Sequence, residues 1–305
     1  MRKVTLFWNH ICILHNFEKQ YLSKVKQQLL QEDIDLDIHY FGLGYPSHMC
    51  EYLSSHDDLP DLIVSADLEV IENHKIYNHL GDLHACSLWL ESKHSLLIDS
   101  VQRNEYLLPL VIIPLIYYAN IKDENLDILS LSKKHKLSFG GINNSAVKTI
   151  VKSLWQQKGP EFCDTLLSDS HVYDMPINAF QSVRAKQNDI ALVPSLYGLR
   201  ADQQETFMYT PKEGPFLLPS YFIARKSIDE DLAKYVLQKI MQKELLDFYV
   251  QQGDLISCIN NTTLTSTQEK MHRCMHVKQS FIDTLDDSVF YDFFLSHFPN
   301  AHDIR

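Results

Sequence analysis

The 305-residue chain lacks the short signatures that assign cofactor or hydrolytic chemistry. It has no P-loop, no dinucleotide-binding glycine fingerprint, no GxSxG nucleophile elbow and no HExxH pair. Basic charge is scarce: 28 Lys and Arg stand against 39 Asp and Glu, a net charge of -11, and no long Lys/Arg run occurs. That balance excludes a protein that wraps a nucleic-acid backbone or lies on an anionic membrane. The six cysteines show no CxxC spacing, and in a reducing compartment they are free thiols. The most apolar run, Leu107 to Ala119, is too short and, with Pro109 and Pro114, too broken to cross a bilayer. There is no internal repeat and no low-complexity segment.

The amino terminus does not read as a secretion signal. MRKVTLFWNHICILHN begins with basic residues and an apolar run, but Asn9 and His10 interrupt it and no small-residue cleavage site follows. Asn-His-Ile before Cys12 is no lipoprotein processing site either. Val4 to Trp8 is therefore expected to be the first strand, and the chain to be cytoplasmic; a chain trimmed of its signal would be extracytoplasmic.

What is present is an α/β pattern large enough for two lobes, with 45% hydrophobic residues. Its centre is LPDLIVSADLEVIEN, residues 59 to 73. Asp61 to Val64 reads as a buried parallel strand that runs through Ser65-Ala66-Asp67 into a helix from Leu68. Ligands of open α/β sheets bind at such carboxyl-end junctions, where the first helical N-H groups favour negative charge. LSFGGINNSA supplies a second junction: strand Leu137 to Phe139, a Gly140-Gly141 turn, then Asn143, Asn144 and Ser145 capping a helix from Ala146 to Lys158. An ordinary helix cap is the alternative reading of these polar residues.

PDLIVSADLEVIEN resembles the corresponding stretch of type 2 periplasmic binding proteins, nearest to the oxyanion and iron binders of ABC transporters. The resemblance implies an α/β, two-lobed fold, each lobe a mixed sheet flanked by helices, with the ligand cleft between them. Residues 1-115 plus 212-305 would form lobe 1 and residues 116-211 lobe 2. NEYLLPLVIIPLIYYAN fits the crossing between lobes and EGPFLLPSYFIA the return. Ferric members carry adjacent tyrosines in the segment matching DIALVPSLYGLR, because hard Fe(III) needs several anionic oxygens. Here Leu196 precedes Tyr197, and a single phenolate makes a poor ferric site. The oxyanion binders place a tyrosine near the position held here by Pro194 and Ser195.

Other elements follow from periodicity. Phe17 to Gln31 reads as a helix, Ile34 to Phe41 as a strand, and Gly42, Gly44 and Pro46 as a turn before a short helix from Ser47 to Ser55. His74 to Ser95 reads as helix and loop, and Asn178 to Lys186 as a helix, which the resemblance places over the cleft. Asp229 to Gln252 reads as one long amphipathic helix, and Ser266 to His302 as a helical part packed on the first lobe. His272 and His276 share a helical face, but two ligands do not make a structural zinc site.

The loop from Asn9 to Asn16 gathers Asn9, His10, Cys12 and His15 at the end of the first strand. Thiolate and imidazole together suit a metal or an iron-sulfur cluster held by Cys12 and His10. Alternatively Cys12 and Ile13 pack inward and the histidines cap the next helix.

The sequence thus predicts a solute-binding protein closing around a small anion, metal-oxyanion or metal species. Its ligand contacts would be Asn9, His10, Cys12, Ser65 and Asp67 on one lobe, with Asn143, Asn144, Ser145, Ser195 and Tyr197 on the other. Two alternatives stay open: an enzyme of this fold acting on a small organic acid, and a cytoplasmic metal or iron-sulfur carrier using the Cys12 loop. A transporter or enzyme partner has no signature in the sequence.

Overall fold

The computed structural model describes residues 1–42, 44–260 and 271–304, the side chain of Cys12 excepted. The chain opens with β1 (Arg2–Asn9), α1 (His15–Leu30), β2 (Ile34–Phe41), α2 (Met49–Ser55) and β3 (Leu62–Ser65). Three short helices follow, α3 (Glu69–Glu72), α4 (His74–His79) and α5 (Leu96–Asp99), before the long strand β4 (Leu108–Ala119). Next come α6 (Ile128–Lys134), β5 (Leu137–Gly140), α7 (Ser145–Lys158), α8 (Pro160–Asp169), β6 (His171–Tyr173) and α9 (Pro176–Arg184). The chain then forms β7 (Ile190–Pro194), α10 (Ser195–Gly198), β8 (Phe207–Tyr209) and the return strand β9 (Phe216–Ala224). It closes with α11 (Glu230–Ile240), α12 (Lys243–Gly253), β10 (Ile256–Ser257), α13 (Gln279–Ile282) and α14 (Asp287–His297).

The strands hydrogen-bond in the order β2-β1-β3-β9-β4-β7-β5-β6, with β8 and β10 also against β4. β1, β2 and β3 run parallel, as do β5, β6 and β7, while β9 and β4 are antiparallel to their neighbours. This is a two-lobed α/β fold. β3 lies between β1 and β9, so its Leu-Ile-Val run is apolar on both faces and fully buried.

The crossing is made by β4. Its first part pairs with β9 from Leu108 to Leu115 and its last part with β7 from Leu115 to Ala119. On the flank opposite β9, β10 pairs with Val111 and Ile112 and β7 begins at Leu115. Pro114 falls in the gap between them, so its missing N-H leaves no ladder bond unmade on that flank. Pro109 stands at a register shift, the other place where a strand tolerates proline.

Two predicted helices are different. The helix after Ser65 is α3, a single turn, and a new helix, α4, starts at Asn73, whose side chain accepts the Ile76 N-H. The stretch from Asp229 to Gln252 is two helices, broken at Met241 and Gln242. No glycine or proline marks the break; the Tyr21 hydroxyl donates to the Ile240 carbonyl at 2.9 Å, occupying an acceptor at the end of α11.

The carboxyl-terminal part also differs from expectation. Residues 266 to 270 lie outside the described residues, and the following chain holds the short helices α13 and α14. α14 packs its aromatic face on α7, with Trp155 against Phe290 and Phe293, while His297 reaches Asp164 of α8. It also touches α3, since the Tyr291 hydroxyl donates to Glu69. Sequence periodicity marks a buried face but not which neighbour covers it. Among the described residues no helix is long and apolar enough to cross a membrane.

Candidate functional site

The carboxyl ends of β1, β3, β5 and β7 converge on a cavity of about 310 Å³ that the crossing strands floor with Ile113 and Leu218. β1 and the turn after it contribute Asn9, His10, Ile11 and Ile13; the turn after β2 brings Gly42, Gly44, Tyr45 and His48. Ala66 and Asp67 stand at the end of β3, and Asn144, Ser145 and Ala146 at the start of α7. Met175, Pro176 and Ile177 enter with α9, and Pro194 and Tyr197 at the end of β7.

The most constrained polar group is His10, which is 4% exposed. Its Nδ1 lies 2.6 Å from Glu18 Oε2, a carboxylate on α1 that is itself fully buried. Glu18 also accepts the Ile11 N-H at 3.2 Å and the Tyr249 hydroxyl at 2.6 Å. Burial, and then the Glu18 charge, push the Tyr249 phenol well above its ordinary range, so it stays a donor. The carboxylate holds a proton on Nδ1 and thereby fixes the ring orientation. Nε2 is left buried with no hydrogen-bond partner among the described residues, on a residue that lines the cavity. Tyr40 stacks on the same ring at 4.9 Å and Tyr45 at 5.7 Å, which makes one wall aromatic.

Asp67 stands in the wall formed by the end of β3. Its Oδ2 accepts the Cys50 N-H at 3.1 Å and its Oδ1 accepts the Ser145 hydroxyl at 3.3 Å. Ser145 in turn accepts the Leu68 N-H at 2.7 Å. The two strand-to-helix junctions are thus docked on one another. Asn144 caps α7 by accepting the Ala146 N-H at 2.9 Å. Tyr197 is buried against Phe180 at 5.3 Å.

The structure therefore gathers Asn9, His10, Asp67, Asn144, Ser145 and Tyr197 around one cavity. Three other predicted residues do not line it. The Ser65 hydroxyl accepts the Asp67 N-H at 2.9 Å within its own turn. Ser195 donates to the Asp254 carbonyl at 3.0 Å, and Asn143 accepts the His302 N-H at 2.8 Å. The Cys12 side chain lies outside the described residues. Its backbone forms a 3-10 turn, Cys12–Leu14, directly before α1. The one-turn α3 is too short to sum a useful dipole, which weakens the anion argument at the Ser65 junction.

Sequence reasoning missed Glu18 and Tyr249, which orient His10, and the wall made by Met175 to Ile177. The Gly42-Gly44-Pro46 turn signalled a loop but not that Tyr45 and His48 line the cavity. No spacing rule pairs residue 18 with residue 249.

Beside the cavity, α3 and α7 share a dry cluster of charges. Lys152 Nζ lies 2.7 Å from Glu69 and 2.9 Å from Glu72, and Arg103 pairs with Glu72 at 2.5 Å. Lys148 approaches Glu69 at 3.9 Å. Burial pushes the Glu69 carboxyl up, but Lys148 and Lys152 outweigh it and hold it at about 2.

No protein-family model and no curated protein sequence matches the chain. Solved structures do match. Iron-bound HitA from Pseudomonas aeruginosa aligns over 97% of this chain and 99% of its own, at 13% identity and a TM-score of 0.72. A ferric binding protein from Campylobacter jejuni aligns over 96% and 99%, at 12% identity and a TM-score of 0.67. A periplasmic thiamin binding protein aligns over 97% and 96%, at 11% identity and a TM-score of 0.65. The chain has the fold of the type 2 periplasmic binding proteins.

Proposed function

We propose that the protein is a solute-binding protein that encloses a small, flat organic molecule with a hydrogen-bonding edge. The observation that carries this reading is His10: a buried, carboxylate-backed imidazole whose Nε2 has no hydrogen-bond partner among the described residues and whose ring lines a mostly apolar cavity. A ring N-H, amine or hydroxyl of the ligand would donate to Nε2, while the aromatic wall and Ile113, Met175, Ile177 and Leu218 take the ring face. A cavity of about 310 Å³ suits a compact ligand, since such sites span ~300–1,000 Å³.

Charge supports an organic ligand over an oxyanion. Among the described residues no Lys or Arg lines the cavity, and one carboxylate does, Asp67. The donors on which an anion would depend, the Ser145 hydroxyl and the Leu68 N-H, are engaged by Asp67 and by each other. For iron the described lining offers two phenols, Tyr45, which stacks on His10, and Tyr197, with one carboxylate, Asp67, whose oxygens already accept from Cys50 and Ser145; hard Fe(III) wants more free anionic oxygen. Of the solutes named for the similar structures, iron and thiamin, the cavity is better suited to the organic one.

Isothermal calorimetry against thiamin, pyrimidines and pyridines, with phosphate, molybdate and ferric citrate as competitors, tests the reading. Binding of a heterocycle that His10→Phe abolishes supports it; binding of an oxyanion or ferric iron alone disposes of it.

The same imidazole carries a second reading, an enzyme in which His10 is the general base and Glu18 orients it. Turnover of a bound heterocycle or organic acid, lost in Glu18→Gln with binding retained, would select it. A carrier using Cys12 would instead depend on Cys12→Ser.

A further inference from the structure

At the rim of the cavity, His48, Glu51 and His302 bring three ligand atoms within 4.8 Å of one another, the only such group of His, Cys, Asp and Glu among the described residues. We propose that they form a divalent metal site, suited to Zn(II), which fastens the carboxyl-terminal tail to the start of α2.

Each ligand is held in place by something other than the ion. His48 and Glu51 sit one helical turn apart, and the His48 N-H donates to Glu51 Oε2 at 2.9 Å, which fixes the carboxylate against the helix start. His302 is anchored at its own backbone and just beyond it. Its N-H donates to Asn143 Oδ1 at 2.8 Å, and two residues on, the Ile304 carbonyl accepts Asn73 Nδ2 at 3.1 Å while the Ile304 side chain is buried. The tail is therefore pinned to two loops, and His302 is itself the first of the two pins. The rings of His48 and His302 meet at 5.6 Å and 68°, edge to face, and Nδ1 of His302 is paired with Oε1 of Glu51. A metal entering there replaces the proton shared by that pair.

Two imidazoles and a carboxylate are borderline ligands that favour Zn(II) over Mg(II) or Ca(II), and three protein ligands leave a coordination position for water. The ligands are half-exposed or exposed, so the ion can exchange with solvent. Because His302 also holds Asn143 of the loop before α7, the ion would join α2, the tail and the α7 junction at one edge of the cavity, where His48 forms part of the lining.

The site is separate from the solute reading and is tested by direct metal binding. Full-length protein stripped with a chelator is titrated with Zn(II) by native mass spectrometry and calorimetry, and with Co(II) by absorption spectroscopy. One tight equivalent is expected, with a Co(II) spectrum of nitrogen and oxygen ligands. His302→Ala and Glu51→Gln should each weaken Zn(II) by at least about 10–100-fold, the range for loss of even an outer-sphere partner. His94→Ala, a change at a histidine whose side chain is 90% exposed, should not. His302 lies in the tail, so its variant is expected to fold, and circular dichroism checks both. Failure of the wild type to take one equivalent, equal affinity in both variants, or a thiolate-to-cobalt charge-transfer band would each overturn the proposal.

Discussion

Leu68 donates its backbone N-H to the hydroxyl of Ser145 across 2.7 Å, joining the loop after β3 to the first residue of α7. The same hydroxyl donates to Asp67 Oδ1 at 3.3 Å. One side chain thus satisfies a donor and an acceptor at once. Ser145→Ala leaves the Leu68 N-H buried without that partner, a loss of ~1–3 kcal/mol. Chemical denaturation should show a lower midpoint with an unchanged slope; an unaltered midpoint would mean that water replaces the hydroxyl at no cost.

Removing the His10 ring nitrogens while keeping an aromatic wall separates chemistry from shape. His10→Phe takes one of three partners from the buried Glu18 carboxylate and leaves it the Ile11 N-H and the Tyr249 hydroxyl, so it should cost ~1–3 kcal/mol of stability. His10→Phe with Glu18→Gln removes the carboxylate while an amide oxygen can still accept from Ile11 and Tyr249, and should recover part of the stability but none of the ligand affinity. Thermal unfolding of both variants, with and without the ligand found by calorimetry, checks the split.

The charge cluster between α3 and α7 sets an acid limit. Glu69 is held at about 2, below its ordinary 4.5, so its contribution is complete above about pH 4.5 and is lost as the pH falls toward 2. Stability measured by urea unfolding should therefore decline across that window. Glu69→Gln should flatten this part of the profile and, by leaving Lys152 with Glu72 alone, cost ~3–5 kcal/mol at neutral pH. A profile of unchanged slope in the variant would show that other carboxylates govern acid unfolding.

Gly140 is a test of how the α9 wall is positioned. A Cβ there would lie 2.4 Å from the Met175 carbonyl oxygen, and backbone, unlike a side-chain tip, cannot move aside alone. Gly140→Ala should displace the start of α9, where Met175, Pro176 and Ile177 line the cavity, and cost ~1–3 kcal/mol, as overpacking does. Ligand affinity should fall with stability; a variant that binds as well as wild type would show that this wall is not part of the binding surface.

Much of the fold could be read from the sequence because its central strands are buried on both faces and its turns carry their own chemistry. β1, β2 and β3 fall where apolar runs end in polar loops, and Asn144 caps α7 as its place before a helical pattern requires. The proline-bearing β4 was recognisable as extended because proline excludes a central helix. What stayed hidden is tertiary. The break between α11 and α12 is met by Tyr21, more than two hundred positions away, and the orientation of His10 depends on Tyr249. Ser65 and Ser195 look like ligand donors by type and place, yet their hydroxyls serve neighbouring backbone, which a one-dimensional pattern does not encode.

If the protein encloses a solute as proposed, the packing of α14 on α7 bears on how fast that solute comes and goes. Besides the two crossing strands, this helix ties the α7 side to α3 through Tyr291, and its Phe290, Tyr291 and Phe294 are almost wholly buried. Admitting a molecule by parting α3 from α7 would wet Glu69, Glu72 and Lys152 and strip those aromatics, at ~1.5–3 kcal/mol for each side chain fully re-exposed. Capture and release would then be governed by the frequency of that separation, giving association slower than the ~10⁵–10⁷ M⁻¹s⁻¹ of ordinary docking and a long residence time even at modest affinity.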